Sequence, residues 1–505
     1  MTVTGRAPGA SDQEEQPGPL LSAASVAQVS APALLAAARQ LRCVTVDVDP
    51  DRLPDLVRAG GHPGRYLWAR TELTILGCGE VLRAPLPAGW VAPEHTALVR
   101  EVLSAIRAEP GPGWPGCGPL AMGALPYDPS ASGRLSVPRC TVVRRDGGAW
   151  VTVVLPADEA SPSAVERAVE DQLAALADEP SSGASPDGFE LSATMPHKEW
   201  KDLVARAVKA MDSGSLSKVV LARQVEVVAN RPFVLPDTLG RLAHLYPSCA
   251  VFQVEGFIGA SPETLLRRTG AHIESRPLAG TVARSGDPAT DDALVAALMS
   301  SAKDRHEHQL VVDEIAAKLR PFAALDVPAT PSIVPLRNVS HLGTSIKGLL
   351  YDGEANGTPD RAPSAGDGGG PNPSPNRSPT PSPGSGPSPG SGPSPGRRAG
   401  YLPTSLELAA VLQPTPAVGG LPVDAAIQWQ RDNEGFDRGC YAGPVGWVDS
   451  NGDGEWVLGL RSANVSGERA VMYAGNGIVA GSDPDVELGE TQLKLQALLA
   501  ALVRP

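Results

Sequence analysis

Lys218-Val-Val-Leu-Ala-Arg-Gln-Val-Glu-Val-Val228 is a run rich in β-branched and apolar residues, headed by a lysine and carrying Arg223 and Glu226 further along. Its composition and length predict a largely buried strand. It leaves a Gly/Ser turn, Asp212-Ser-Gly214, which ends a helix expected over Lys198–Met211. Downstream, Ala250–Val254 and Phe257–Gly259 read as further strands, and a long helix fits 290–320 with Pro321 at its end. Upstream, from about 40 to 155, the pattern is again strand-like. Cys43–Asp49 alternates, and Tyr66–Trp68, Leu73–Leu76 and Trp150–Leu155 read as short strands. A helix fits 162–178, followed by a Pro/Ser/Gly loop around 180–187. By length two or three domains are expected, and a single large α/β or α+β unit is equally allowed.

The chain has 505 residues, 42% hydrophobic and 20% charged, which is enough apolar material for a large core. A net charge of −13 argues against a protein that tracks nucleic-acid phosphates. The six cysteines are scattered with no CxxC spacing, as in a reduced cytoplasmic protein. No apolar run approaches the ~20 residues needed to span a bilayer, so no membrane role is expected. Residues 1–35 read as a loose tail. Between Tyr351 and Tyr401 there is no Val, Ile, Leu, Met or aromatic residue, so 352–400 is expected to be disordered.

Several short stretches carry chemistry. In Lys303-Asp-Arg-His-Glu-His-Gln-Leu-Val311, Asp304 and Glu307 share a helix face, and Glu487 and Glu490 do so in Glu487-Leu-Gly-Glu-Thr-Gln-Leu-Lys494. Either pair alone fits a solvated helix. Together they supply the oxygen ligands that a hard cation such as magnesium prefers. His306 does not open a zinc motif, because the position four residues on is Leu310. Lys218 is either a solvated strand end or a lysine that desolvation readies to act as a base. Gly259-Ala-Ser-Pro-Glu263 presents one carboxylate at a strand-to-turn step, a turn feature or an acid opposite that base. Arg461 beside Gly475-Asn-Gly477 suits capture of a carboxylate by a guanidinium fork and backbone N–H groups.

The order and wording of these pieces resemble the chorismate-utilising enzymes, which include anthranilate, aminodeoxychorismate, isochorismate and salicylate synthases. SKVVLAR (217–223), GASPETLL (259–266), PLAGT (277–281), KDRHEHQLV (303–311) and SHLGT (340–344) carry the likeness. PTPAVGG (414–420), RGCYAGPVGW (438–447), LRSA (460–463), GNGIVAGSDP (475–484) and ELGETQLKL (487–495) complete it, and GPLAMGALPYDP (118–129) extends it into the N-terminal half. Because they flank 352–400, that stretch reads as an insertion within one fold. A divergent N-terminal part, 36–190, then joins a catalytic part formed by 191–351 and 401–505.

The resemblance implies an α+β fold of two large antiparallel sheets packed face to face, with helices outside and the site between them. It implies that Lys218 activates water for attack on ring carbon 2 of chorismate, and that Glu263 protonates the departing 4-hydroxyl. Glu307 and Glu490 match direct Mg2+ ligands, with Asp304 and Glu487 nearby. Tyr441, Arg461, Gly475, Gly477 and Lys494 match positions that hold substrate carboxylates, while Thr281 and His341 match pocket-lining positions. Asp304 departs from several relatives, which have Glu there.

Within the family, aminodeoxychorismate synthases often carry a lysine where this chain has Ala279. Anthranilate synthases, which use ammonia from a glutaminase partner, usually read PIAGT and GAGIVADS. PLAGT and GNGIVAGSDP resemble the isochorismate synthases, so water is the expected nucleophile and a monomer without a glutaminase the expected form. The alternatives are a salicylate synthase, sharing the same lysine, glutamate and metal ligands, an anthranilate-type enzyme, and an inactive chorismate-binding regulatory subunit. The expected product feeds menaquinone or siderophore synthesis.

Overall fold

The computed structural model describes residues 30–178, 183–351 and 402–503. The insertion expected at 352–400 and nearly all of the expected N-terminal tail lie outside the described residues. The tail ends earlier than the sequence suggests, because Ala31–Arg39 is a helix. Pro32 sits in its first turn, where a missing N–H costs nothing, and Leu34 and Ala38 are buried.

Among the described residues, thirteen strands form one sheet and nine another. The first sheet runs from the edge strand Phe189–Ala193 through Lys218–Ala229, Arg469–Val479, Ser462–Ser466, Phe257–Ser261 and Ala250–Val254. It continues through Arg65–Ala69, Thr74–Cys78, Cys140–Arg145, Gly148–Pro156 and Leu41–Val48. Strands from the divergent N-terminal part are therefore hydrogen-bonded into the same sheet as the strand headed by Lys218. Pairing is antiparallel apart from the short Arg107–Ala108 strand, which runs parallel to Leu41–Val48.

The two sheets meet through a layer of Tyr66, Trp68, Ile75, Phe252 and Phe257 from the first, and Met122, Val445, Trp447 and Val457 from the second. Full burial of side chains of this size is worth about 1.5–3 kcal/mol each. On the far side of the first sheet, helices Pro162–Ala177, Leu235–Leu245 and Pro484–Val503 bury Val165, Leu173, Leu239 and Leu498. Helices Pro93–Ala105, Ala302–Leu319 and Ser405–Leu412 bury Val102, Val311, Ile315 and Leu406 together with Leu266 and Trp456 of the second sheet. The strand Ile346–Leu350 before residue 352 and the helix Ser405–Leu412 after residue 401 both enter this second core.

The helix expected over 290–320 is two helices, Pro288–Ser300 and Ala302–Leu319. Ser301 adopts an extended backbone, and its hydroxyl accepts from the Asp304 N–H, capping the second helix. The break starts a new helix, the one that carries Asp304 and Glu307. A small third sheet, Leu278–Ala283, Val339–Gly343 and Ser332–Pro335, lies beside it. No helix among the described residues is long and apolar enough to cross a membrane.

Candidate active site

The pocket is built where the first sheet, the small sheet and two helix N-termini converge. Successive residues of a strand face opposite sides. Val219 and Leu221 bury against Trp200, Leu203 and Ile478 beneath helix His197–Asp212, which leaves Lys218 and Val220 on the pocket wall. Lys218 is only 1% exposed, and its ammonium lies 2.9 Å from Glu307 Oε1. It is thus a buried lysine and not a solvated strand end.

Antiparallel register places Gly477 opposite Val220 and Gly475 opposite Ala222. An added Cβ on Gly477 would fall 2.5 Å from Glu307 Oε1 and 3.0 Å from Lys218 Cε. Only hydrogen fits there, so the Gly475-Asn-Gly477 pattern leaves room for the Lys218–Glu307 pair. Gly477→Ala is therefore expected to displace that pair and lower kcat on the order of 100-fold, since misplacing reacting groups by about 1 Å can cost that much. Steady-state rates checked against thermal unfolding would show it; wild-type turnover in a folded variant would refute it.

Glu263 leaves the strand end after Ser261-Pro262 and is 5% exposed. Burial pushes its carboxyl up to about 7, although the Leu278 N–H at 3.4 Å and the charges of Lys218, Arg461 and Lys494 oppose the rise. Near neutral pH it is part-loaded with a proton. Lys218 and Glu263 line the same pocket.

Asp304, Glu307, Glu487 and Glu490 also line it. Each pair lies near the N-terminus of its helix, Ala302–Leu319 or Pro484–Val503, where the helix dipole favours negative charge. Their partners differ. Asp304 accepts from its own cap, the Ser301 hydroxyl. Glu487 accepts from the Asn476 side chain, and burial raises its carboxyl to about 7. Burial pushes Glu490 up as well, but the Lys494 ammonium at 2.6 Å and the Thr281 hydroxyl outweigh it and hold Glu490 below the usual carboxylate range. No three His, Cys, Asp or Glu side chains among the described residues stand close enough to form a preassembled metal cluster.

The small sheet supplies the opposite wall. The buried His341 imidazole has partners at both ring nitrogens. Its Nε2 lies 3.1 Å from the Arg461 guanidinium, and its Nδ1 lies 3.2 Å from both the Gly280 carbonyl and the Thr281 hydroxyl. A guanidinium can only donate and a carbonyl can only accept. Nε2 therefore carries the lone pair and Nδ1 the proton. Burial and the Arg461 charge push His341 down to about 3, so it is neutral. Among the described residues, Arg461 is the only positive-φ residue bordering this cavity that is not glycine, with φ 50°. Its side chain is half-buried, and desolvation lowers its guanidinium. Tyr441 stacks on Tyr473 with ring centroids 5.0 Å apart, and burial raises its hydroxyl to about 12. Lys494 donates to the Gly475 carbonyl at 2.9 Å as well as pairing with Glu490.

All thirteen candidate residues therefore line one pocket. Sequence inspection missed Lys303 and Asn476, which line it too, and a buried group behind its wall: Tyr127, Gln430, Glu434 and Arg438. RGCY contains Arg438, but nothing in the chain order ties it to Lys218.

A buried lysine and a buried glutamate, the further cations Lys303, Arg461 and Lys494, and a set of carboxylates around one cavity suit a small anionic substrate. The chain belongs to the family of chorismate binding enzymes, whose model matches residues 36–356 and 402–503. It is 33% identical over 396 residues to isochorismate synthase DhbC of Bacillus subtilis, covering 76% of this chain and 81% of that one. It is 30% identical over 446 residues to the vibriobactin-specific isochorismate synthase of Vibrio cholerae, covering 86% and 91%. The structure of MenF, the menaquinone-specific isochorismate synthase of Escherichia coli, superposes with a TM-score of 0.68 at 25% identity, covering 92% of this chain and 95% of that one. The expected family and the expected α+β architecture are both borne out.

Proposed function

We infer that the protein is an isochorismate synthase, converting chorismate to isochorismate for menaquinone or siderophore synthesis. The observation that carries this is the buried Lys218 and the proton-retaining Glu263 facing one cavity. Lys218 takes a proton from water as the water oxygen bonds to ring carbon 2. The two ring double bonds shift, and the bond from carbon 4 to its hydroxyl breaks. Glu263 delivers a proton to that departing oxygen, so one water enters and one leaves. Arg461, aimed by the neutral His341, holds a substrate carboxylate, with Tyr441, Thr281, Lys494 and the N–H groups around Gly475 and Gly477 completing the cradle. No ammonia-supplying partner is needed, and we take the enzyme to act as a cytoplasmic monomer.

A dianionic substrate entering a cavity with four further carboxylates needs added positive charge. The donor set fits magnesium, because all four side chains offer oxygen. Glu307 and Glu490 would hold the ion directly, with Asp304 and Glu487 nearby. When bound, magnesium would neutralise a substrate carboxylate and polarise the ring attached to it. Glu490→Gln keeps the shape and removes the charge. It is expected to shift the magnesium titration of activity upward roughly tenfold or more, as loss of a ligand charge does. An unshifted titration would place the metal elsewhere.

The deciding experiment is to incubate the protein with chorismate and magnesium, without ammonia, and separate the products. Isochorismate in equilibrium with chorismate is the expected result. Salicylate with stoichiometric pyruvate would make it a salicylate synthase, and turnover only with ammonia would overturn water as the nucleophile.

A further inference from the structure

The strand Lys218–Ala229 lacks a continuous neighbour on one edge. Lys218 and Val219 pair with Leu421 and Gly420, and pairing resumes at Val225 opposite Ala193. In between, the chain at 418–420 veers away, leaving the Val220 carbonyl and the Ala222 N–H without a ladder partner. Both are buried, and a buried unpaired backbone group costs about 1–3 kcal/mol. Side chains fill the gap. The Val220 carbonyl accepts from Arg438 Nη2 at 2.7 Å and from Gln430 Nε2 at 2.8 Å. The Ala222 N–H donates to Glu434 Oε1 at 2.9 Å. The same side chains grip the diverging chain: Arg438 Nη1 donates to the Val418 carbonyl at 3.0 Å, and Gln430 to the Gly419 carbonyl at 2.7 Å. Arg438 Nε donates to Glu434 Oε2 at 2.8 Å. Tyr127 closes the group, its hydroxyl 2.7 Å from Gln430 Oε1 and its ring 4.4 Å beneath the Arg438 guanidinium.

Gln430, Glu434, Arg438 and Tyr127 are each no more than 4% exposed. None of them lines the pocket, while Val220, Ala417 and Val418 on the other side of the gap do. A buried ion pair is seldom the most stabilising way to fill a core. What this one supplies is direction: donors and acceptors fixed against one carbonyl and one N–H, two and four residues from Lys218 and on the same strand.

We propose that Gln430, Glu434 and Arg438 form a buried clamp that stands in for the missing strand and positions Lys218 for proton abstraction. These are positioning residues, and the proposal rests on the assignment of Lys218 as the base. Arg438→Lys keeps the charge but cannot reach Val220, Val418 and both Glu434 oxygens at once. Expressed per folded molecule, with the folded fraction taken from thermal unfolding, its kcat is expected to fall about tenfold or more, while KM for chorismate stays within about threefold, the mark of misplaced reacting groups. A role in stability alone would lower the unfolding temperature and leave kcat per folded molecule unchanged, which would overturn the proposal. Should Arg438→Lys fail to fold, Gln430→Met decides the matter. It removes both amide donors at nearly constant volume, leaves the ion pair in place, and is expected to show the same split; wild-type kcat in it overturns the clamp. Lys218→Ala is measured alongside. Normal turnover in Lys218→Ala means the base assignment has failed, whereas an inactive Lys218→Ala beside a fully active Arg438→Lys means the clamp alone has.

Discussion

Lys218→Ala is expected to lower kcat by about 10²–10⁴, the contribution a positioned general base makes, with little change in chorismate binding. The side chain lies at the head of a strand whose next residues are packed on both faces, so its truncation leaves the backbone where it is. Glu307 loses its partner but is 14% exposed, and water can solvate it. The loss should therefore appear in the rate and hardly in the unfolding temperature. Lys218→Arg sharpens the test. A guanidinium retains the positive charge but does not give up its proton in proteins. If Lys218 served only to attract an anion, arginine would restore much of the rate. If it abstracts a proton, arginine should be as inactive as alanine. Normal turnover in the alanine variant would end the assignment outright.

Much of this site was legible in the chain because helix and strand periodicities are local. Asp304 and Glu307, like Glu487 and Glu490, are three residues apart, and that spacing alone puts each pair on one helix face. The run from Lys218 onward announced a buried strand, and the strand is there over Lys218–Ala229. The break at Ser301 was readable but overlooked: Ser301-Ala-Lys-Asp304 is a hydroxyl residue followed three positions later by a carboxylate, the mark of a helix start. The neighbouring Ala- and Leu-rich run masked it. What no local pattern carried were the pairings across the fold. His341 meets Arg461 120 residues away, and Arg438 meets Val220 218 residues away. Hydrogen-bond partners of that kind follow from sheet order and register. The clamp was hidden for a further reason: its residues serve backbone groups, which every sequence position possesses, so the sequence marks nothing at the receiving end.

The second large effect is expected at Glu263. Glutamine matches glutamate in shape but has no proton to give, so Glu263→Gln should cost about 10²–10⁴ in kcat at nearly constant KM. Its pH behaviour separates an acid from a mere contact. Burial holds the wild-type carboxyl up to about 7, so the proton needed for the departing hydroxyl is present below that pH and lost as pH rises through it. The forward rate of the wild type should fall on the alkaline side accordingly. Stability follows the same group. Its folded value lies above its unfolded one, so its contribution is fully present below the ordinary carboxyl range and lost as pH rises towards and through about 7. Glu263→Gln, which cannot ionise, escapes that loss. Relative to wild type, its unfolding temperature should rise between pH 5 and pH 8 even though the variant is inactive. A mutation that kills the reaction while stabilising the fold at pH 8 is what a buried acid, held protonated against its tendency to ionise, requires. Wild-type turnover in Glu263→Gln, or a stability difference that stays flat across that window, would contradict it.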